Sequence, residues 1–224
     1  MVQNSHSWME ASDVIPMFPS FVWKVRLEHG LRAALRKTIL AALAGMRARL
    51  PPLAPGAGWQ SAQTLHQRED FRDLVACIVD GVAPVLRFLR IGDQPYEITG
   101  CWATVLARGA AHKLHSHPNN YLSGVYYVCT RPGADTINFH DPRRQTAVIR
   151  PPVVELTAEN TDQAVVQVSD GTLLMFPSYL EHSVDANMSD EERVSVSFNV
   201  MFSSFTERLS KPLWSPDDSS KGDS

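Results

Sequence analysis

The spacing of hydrophobic residues changes near residue 95 and divides the chain into a helical part and a strand-rich part. Before residue 95, apolar side chains recur at helical spacing, which predicts helices over about 29–50 and 69–89, behind a short strand over about 18–27. A proline cluster after residue 50 ends the first helix and the GAGW segment continues as loop, while Pro84 is expected to kink or split the second helix.

After residue 95, short runs of β-branched and aromatic residues are separated by turn residues. The predicted strands are 96–107, 121–129, 136–140, 153–156, 164–168, 172–176 and 193–203. This pattern predicts a mainly β fold with N-terminal helices (α+β), in which a sandwich or barrel is backed by the helices. We expect one domain over 1–224, with the supporting strand and helices over about 18–94, the β core over about 95–205 and a flexible tail over 206–224.

The last predicted strand alternates clearly between polar and apolar residues. One face carries Arg193, Ser195, Ser197 and Asn199, and the other carries Val194, Val196, Phe198 and Val200. The apolar row should pack against the helices. The polar row should line the inside of the barrel, where its groups need a ligand, a metal or water.

Composition and charge narrow the class of protein. A hydrophobic fraction of 44% can fill a core, and a net charge of −3 argues against a nucleic-acid partner, because no basic excess exists to displace counterions. The three cysteines are widely spaced and form neither a disulfide framework nor a CxxC zinc site. With no basic n-region at its N-terminus and no apolar run of bilayer length, the chain is expected to be cytoplasmic, without a membrane partner.

Three of the eight histidines are candidates for a metal site. His115 and His117 are two residues apart, so on an extended chain both imidazoles reach the same point. His182 follows a turn and precedes another strand. Three ligands with open positions suit an Fe(II) that must also bind substrate or oxygen, whereas structural zinc usually has four closed ligands. His112 and His140 lack a partner at ligand spacing and are expected to be ordinary residues.

Arg193 is the candidate anion-binding residue, because a guanidinium inside a barrel needs a negative partner. Ser195 lies on the same strand face and adds a hydroxyl. A fork-shaped donor beside a hydroxyl favours a carboxylate.

Several motifs together resemble those of the 2-oxoglutarate/Fe(II)-dependent oxygenases of the small bacterial type. They are HxHPNNxxSGVYYV from His115, DPR from Asp141, FPSxxxH ending at His182 and RVSxSFN from Arg193, with GWQS over Gly58–Ser61 upstream. The resemblance covers most of the chain from Phe18 to Phe205 and is specific only when the motifs are taken together.

The resemblance implies a double-stranded β-helix, which is a cupin-like jelly roll, with Fe(II) at one end and 2-oxoglutarate as cosubstrate. It implies that His115 and His182 bind iron, and that Arg193, helped by Ser195, holds the distal carboxylate of 2-oxoglutarate. Either Tyr126 or Tyr127 would donate a hydroxyl to that carboxylate, since strand alternation lets only one of them point inward.

The sequence departs from the wider superfamily at one ligand, because His117 stands where an acid is expected. Three alternatives follow. The iron has three histidine ligands; or His117 is the first ligand and Asn119 lies near the metal; or Asp141 supplies the carboxylate.

The resemblance implies a dioxygenase, a hydroxylase in the usual case, that couples 2-oxoglutarate decarboxylation to oxidation of an unidentified substrate by O2. A three-histidine cupin-type dioxygenase without 2-oxoglutarate is one alternative, and a non-catalytic jelly-roll binding protein is another. Jelly rolls often pair through an edge strand or helix, which leaves a homodimer open.

Overall fold

The computed structural model describes residues 10–143, 152–157 and 159–206. The strands are β1 (Trp23–Arg26), β2 (Gly58–Gln60), β3 (Tyr96–Leu106), β4 (His112–His115), β5 (Leu122–Cys129), β6 (Thr136–His140), β7 (Gln163–Gln167), β8 (Thr172–Pro177), β9 (His182–Val184) and β10 (Arg193–Phe202). The helices are α1 (His29–Arg47), α2 (Arg72–Phe88) and the short α3 (Ser203–Thr206), with 3-10 turns at Leu65–Gln67 and Glu69–Phe71.

Two antiparallel sheets make the predicted mainly β fold. The larger sheet has the order β1-β8-β5-β10-β3-β2, and the smaller has the order β4-β9-β6-β7. Because the order of the strands in each sheet differs from their order in the chain, successive strands pass back and forth between the sheets, as in a jelly roll. None of the described helices is long and apolar enough to cross a membrane.

The two helices pack on the outer face of the larger sheet. Helix α1 is capped by the side chain of Glu28, which accepts a hydrogen bond from the backbone N–H of Leu31, and it buries Leu35, Ile39 and Leu43. Helix α2 runs without a break through Pro84, so the expected split is wrong. The apolar stripe of each helix therefore joins one core with the sheet.

Strand β10 has the predicted alternation. Its apolar residues Val194, Val196, Phe198 and Val200 all belong to the core beneath the helices. Gly124 of the neighbouring strand β5 is required by this packing, since a Cβ at that position would overlap the ring of Phe198.

Some sequence-based boundaries are wrong for identifiable reasons. Residues 153–156, expected as a strand, pair with no other strand, and the side chain of Val154 is fully exposed. The segment 18–27 forms a strand only over Trp23–Arg26, while Gly58–Gln60 of the expected loop pairs with β3. Strands β4 and β9 are too short to show a period. The expected flexible tail lies outside the described residues beyond position 206.

Candidate metal centre

Three imidazoles meet at one end of the smaller sheet. His115 ends β4 and His182 begins β9, and the two residues are direct partners in the antiparallel ladder. Their ring centroids are 4.3 Å apart. His117 follows β4 by two residues, and one ring nitrogen from each histidine lies within 4.8 Å of the other two. The fold therefore brings the three predicted ligands together.

Backbone hydrogen bonds hold two of the rings through Nδ1 and leave the other nitrogen of each ring free. The Nδ1 atom of His115 lies 2.8 Å from the carbonyl oxygen of Lys113, and the Nδ1 atom of His182 lies 3.0 Å from that of Leu180. A carbonyl oxygen only accepts, so each Nδ1 carries the proton. Each Nε2 then keeps its lone pair for a metal, as in most histidine metal sites.

Burial keeps two of these imidazoles neutral. It lowers the pKa of His117 and of His182 to about 4, and neighbouring histidines add to the effect. The ring of Phe176 packs edge-on against His182 at 4.8 Å, and that of Trp102 lies 5.6 Å from His117. At neutral pH both histidines are therefore in the form that binds metal, between aromatic walls.

A cavity of about 300 Å³ extends from the histidines between the two sheets. Arg193, Ser195 and Ser197 of β10 line one wall, so the polar row of this strand faces the cavity as predicted. Arg193 is only 3% exposed and donates to the backbone carbonyls of Ala134 and Thr136. Within the described residues it forms no ion pair, and its burial lowers its pKa from the usual value.

Comparisons with known proteins agree with this geometry. Residues 100–199, from β3 to β10, match the model of a family described as "Putative 2OG-Fe(II) oxygenase". Residues 100–199 form a 2-oxoglutarate/Fe(II) oxygenase domain. Fe(II) and 2-oxoglutarate are the metal and cosubstrate of this family. A search of curated proteins finds no match.

Solved structures share the fold of the oxygenase domain. HygX from Streptomyces hygroscopicus, with nickel and 2-oxoglutarate bound, is 14% identical with a TM-score of 0.58, over 82% of this chain and 83% of that one. The α-ketoglutarate-dependent carbocyclase SnoK of nogalamycin biosynthesis is 15% identical with a TM-score of 0.59, over 84% and 86%. A Pseudomonas putida prolyl-4-hydroxylase is 17% identical with a TM-score of 0.53, over 81% and 92%.

The oxygenase domain turns only one of the two candidate tyrosines toward the cavity. Tyr127 lines it, and its buried hydroxyl has no hydrogen-bond partner in the described structure. Burial raises the pKa of Tyr127 to about 12. The guanidinium of Arg193 lies over its ring, 5.2 Å from the centroid. Tyr126 points to the opposite face and packs beneath the helices, because successive side chains of a strand alternate, so it does not line this cavity.

The other candidates for the third ligand lie apart from the histidines. Asn119 is exposed on a turn with φ of 64°. Asp141 is paired with Arg143 at 2.7 Å and lines a different cavity. Neither belongs to the group of ligand atoms found among the described residues. The group of possible metal ligands among the described residues therefore consists of histidines alone.

One cavity residue was missed by sequence reasoning. His112, expected to be ordinary, lines the same cavity as His115, and the two ring centroids are 6.1 Å apart. Burial lowers the pKa of His112 to about 4. Its spacing of three residues from His115 gives opposite faces on a regular strand, so period-2 reasoning could not find it.

Proposed function

We propose that His115, His117 and His182 bind Fe(II) through their Nε2 atoms. Arg193 and Ser195, assisted by the hydroxyl of Tyr127, hold the distal carboxylate of 2-oxoglutarate. The enzyme then couples decarboxylation of 2-oxoglutarate to oxidation of a further substrate, by hydroxylation in the simplest case. The observation that carries this proposal is a group of three imidazoles, two of which line a cavity together with a buried arginine that forms no ion pair within the described residues.

The residues present fit both groups. A neutral imidazole triad suits a divalent first-row metal, and the backbone-anchored Nδ1 atoms of His115 and His182 fix two of the rings. Among the described residues, Arg193 and Lys113 line the cavity, and no aspartate or glutamate does. A dicarboxylate would supply the anion that the buried Arg193 lacks and an acceptor for the unpartnered Tyr127 hydroxyl.

The protein contributes orientation and shielding to the reaction. When bound, Fe(II) with 2-oxoglutarate supplies the oxidising chemistry, in which O2 is consumed and 2-oxoglutarate is converted to succinate and CO2. Arg193 fixes one end of the cosubstrate by charge-assisted hydrogen bonds, so its other end is directed to the histidines. Trp102 and Phe176 exclude water beside the imidazoles and confine the reaction to the cavity.

The missing carboxylate favours one alternative, a three-histidine dioxygenase that does not use 2-oxoglutarate. Arg193 would then hold a carboxylate of the substrate itself. Oxygen consumption that is independent of 2-oxoglutarate would identify this alternative.

The remaining expectations rest on the sequence alone. We propose a cytoplasmic enzyme without nucleic-acid or membrane partners, which forms either a monomer or a homodimer. Light scattering coupled to gel filtration measures the oligomeric state directly.

The test is an anaerobic titration of the Fe(II) protein with 2-oxoglutarate. We expect a visible metal-to-ligand charge-transfer band that needs both components, and slow release of succinate once air is admitted. His182→Ala should abolish the band. Ser61→Ala, at the edge of the larger sheet, should retain it. A wild-type protein that binds iron but shows neither the band nor succinate would contradict the proposal.

A further inference from the structure

The inference concerns His112, which lies on the wall of the cavity between β4 and β10. We propose that His112 donates a hydrogen bond to a carboxylate oxygen of bound 2-oxoglutarate and so orients the cosubstrate between the histidine triad and Arg193. This assignment rests on the proposed function and adds a binding residue to its site.

The first support is an irregularity in strand β4. His112 pairs with Val184 and His115 pairs with His182, so three steps along β4 correspond to two steps along β9. This extra residue is a β-bulge, which shifts the phase of the strand and turns His112 to the same face as His115. Bulges are common beside active sites because they re-aim a side chain in this way.

The second support is the hydrogen bonding of the His112 ring. The imidazole of His112 makes no hydrogen bond to any residue that the structure describes, although the residue is half-buried. Backbone carbonyls two residues earlier in the chain hold the imidazoles of His115 and His182, whereas the ring of His112 faces the cavity without such a partner. A polar group withdrawn from bulk water in this way favours a ligand that pairs with it.

The third support is the size of the cavity. The cavity volume of about 300 Å³ lies at the lower end of the range for small-molecule pockets. The cavity is therefore large enough for a five-carbon dicarboxylate that reaches from the triad to Arg193. The imidazole of His112 lines the same cavity as both ends, and its ring centroid is 6.1 Å from that of His115.

Substitutions at His112 must separate hydrogen bonding from packing. His112 and Gln60 also line a neighbouring cavity of about 420 Å³, so the imidazole is part of the partition between the two spaces. His112→Phe keeps a ring in the partition and removes the donor. His112→Gln keeps a donor at a similar reach. The exposed His29, on α1, provides the control His29→Ala.

The experiment measures the dissociation constant of 2-oxoglutarate for the anaerobic Fe(II) protein from the charge-transfer band, with Fe(II) affinity measured separately. We expect His112→Phe to weaken 2-oxoglutarate binding by about tenfold or more, as for loss of a hydrogen bond to a charged group. His112→Gln should restore most of the affinity, and Fe(II) affinity should match wild type in every variant.

Equal 2-oxoglutarate affinity in His112→Phe and wild type would overturn the assignment while leaving the proposed function intact. Loss of affinity in His112→Phe and His112→Gln alike, with Fe(II) binding also reduced, would assign His112 a structural role and overturn it as well. A wild-type protein without any 2-oxoglutarate-dependent band would refute the proposed function and this inference together.

Discussion

The two faces of strand β10 share one backbone but differ in the surroundings of their side chains. On the helix side, Phe198 and its valine neighbours are enclosed by apolar residues of α1, α2 and the larger sheet. On the cavity side, Arg193 is buried without an anion, and the hydroxyl of Tyr127 opposite it has no partner among the described residues.

The difference separates what holds the fold together from what binds the ligand. Apolar side chains that fill a core stabilise it by transfer from water and close packing. Buried polar groups without hydrogen-bond or ionic partners cost free energy until a ligand supplies those partners. Substitutions on the helix side should therefore change stability, and those on the cavity side should change affinity for 2-oxoglutarate.

The largest effect on stability is expected for Phe198→Ala. Removing a fully buried ring beneath the helices should lower the free energy of unfolding by about 3–5 kcal/mol. Urea unfolding of the metal-free protein measures this loss. Phe202→Ala, at the more exposed end of the same strand, should cost clearly less. Equal losses for the two variants would show that the helix side is not a close-packed core.

The largest effect on binding is expected for Arg193→Met. Loss of the guanidinium should weaken 2-oxoglutarate binding by about a hundredfold or more, because it removes one partner of a buried charge pair. The free energy of unfolding without ligand should stay the same or rise, since an unpaired buried charge is removed. Arg47→Met, which breaks the surface pair with Glu192, should leave 2-oxoglutarate affinity unchanged.

An Arg193→Met protein that is strongly destabilised in the absence of ligand would erase the distinction between the two faces. The measurement is a urea midpoint beside a 2-oxoglutarate titration on the same preparation.

An intermediate effect is expected when the metal-free protein is acidified. The folded pKa of His182 is about 4, below its ordinary value of 6.5, so the unfolded chain binds this proton more readily. The neutral, buried His182 therefore contributes stability that is fully present above pH 6.5 and is lost as the pH falls toward 4. His182→Phe should therefore lose less stability than wild type over this window, measured by urea midpoints at several pH values. Parallel pH profiles would contradict the assignment of a neutral, buried imidazole.

The smallest effect is expected for Ser195→Ala. One hydroxyl hydrogen bond to a carboxylate is worth about 1.5 kcal/mol, so 2-oxoglutarate affinity should fall by roughly tenfold with little change in stability. An effect as large as that of Arg193→Met would mean that Ser195, rather than the guanidinium, is the principal anchor. Titration of both variants under the same conditions decides their order.

Periodicity predicts the helix side of β10 well, because packing on a core imposes a strict alternation on the residues that face it. The same reasoning predicts Arg193 and Ser195 on the cavity side. It cannot choose between Tyr126 and Tyr127, since the turn after His117 interrupts the phase of the preceding strand. Only the ladder of β5 with its neighbours shows that Tyr127 faces inward.

The remaining differences come from tertiary context. Residues 153–156 have strand propensity but no partner strand, and propensity alone does not form a sheet. A β-bulge turns His112 toward the cavity. Because a bulge depends on how two strands pair, the residue spacing along one strand does not reveal it. The histidine triad was predictable because His115 and His117 are two residues apart and His182 lies between a turn and a strand.

The central claim is that three neutral histidines, with no carboxylate, hold the iron. A crystal structure of the protein grown anaerobically with Fe(II) and 2-oxoglutarate tests it most directly. We predict an iron bound by the Nε2 atoms of His115, His117 and His182, with 2-oxoglutarate reaching from the metal to Arg193. Iron bound through Asp141 or Asn119 in place of His117, or lying away from these histidines, would contradict the account.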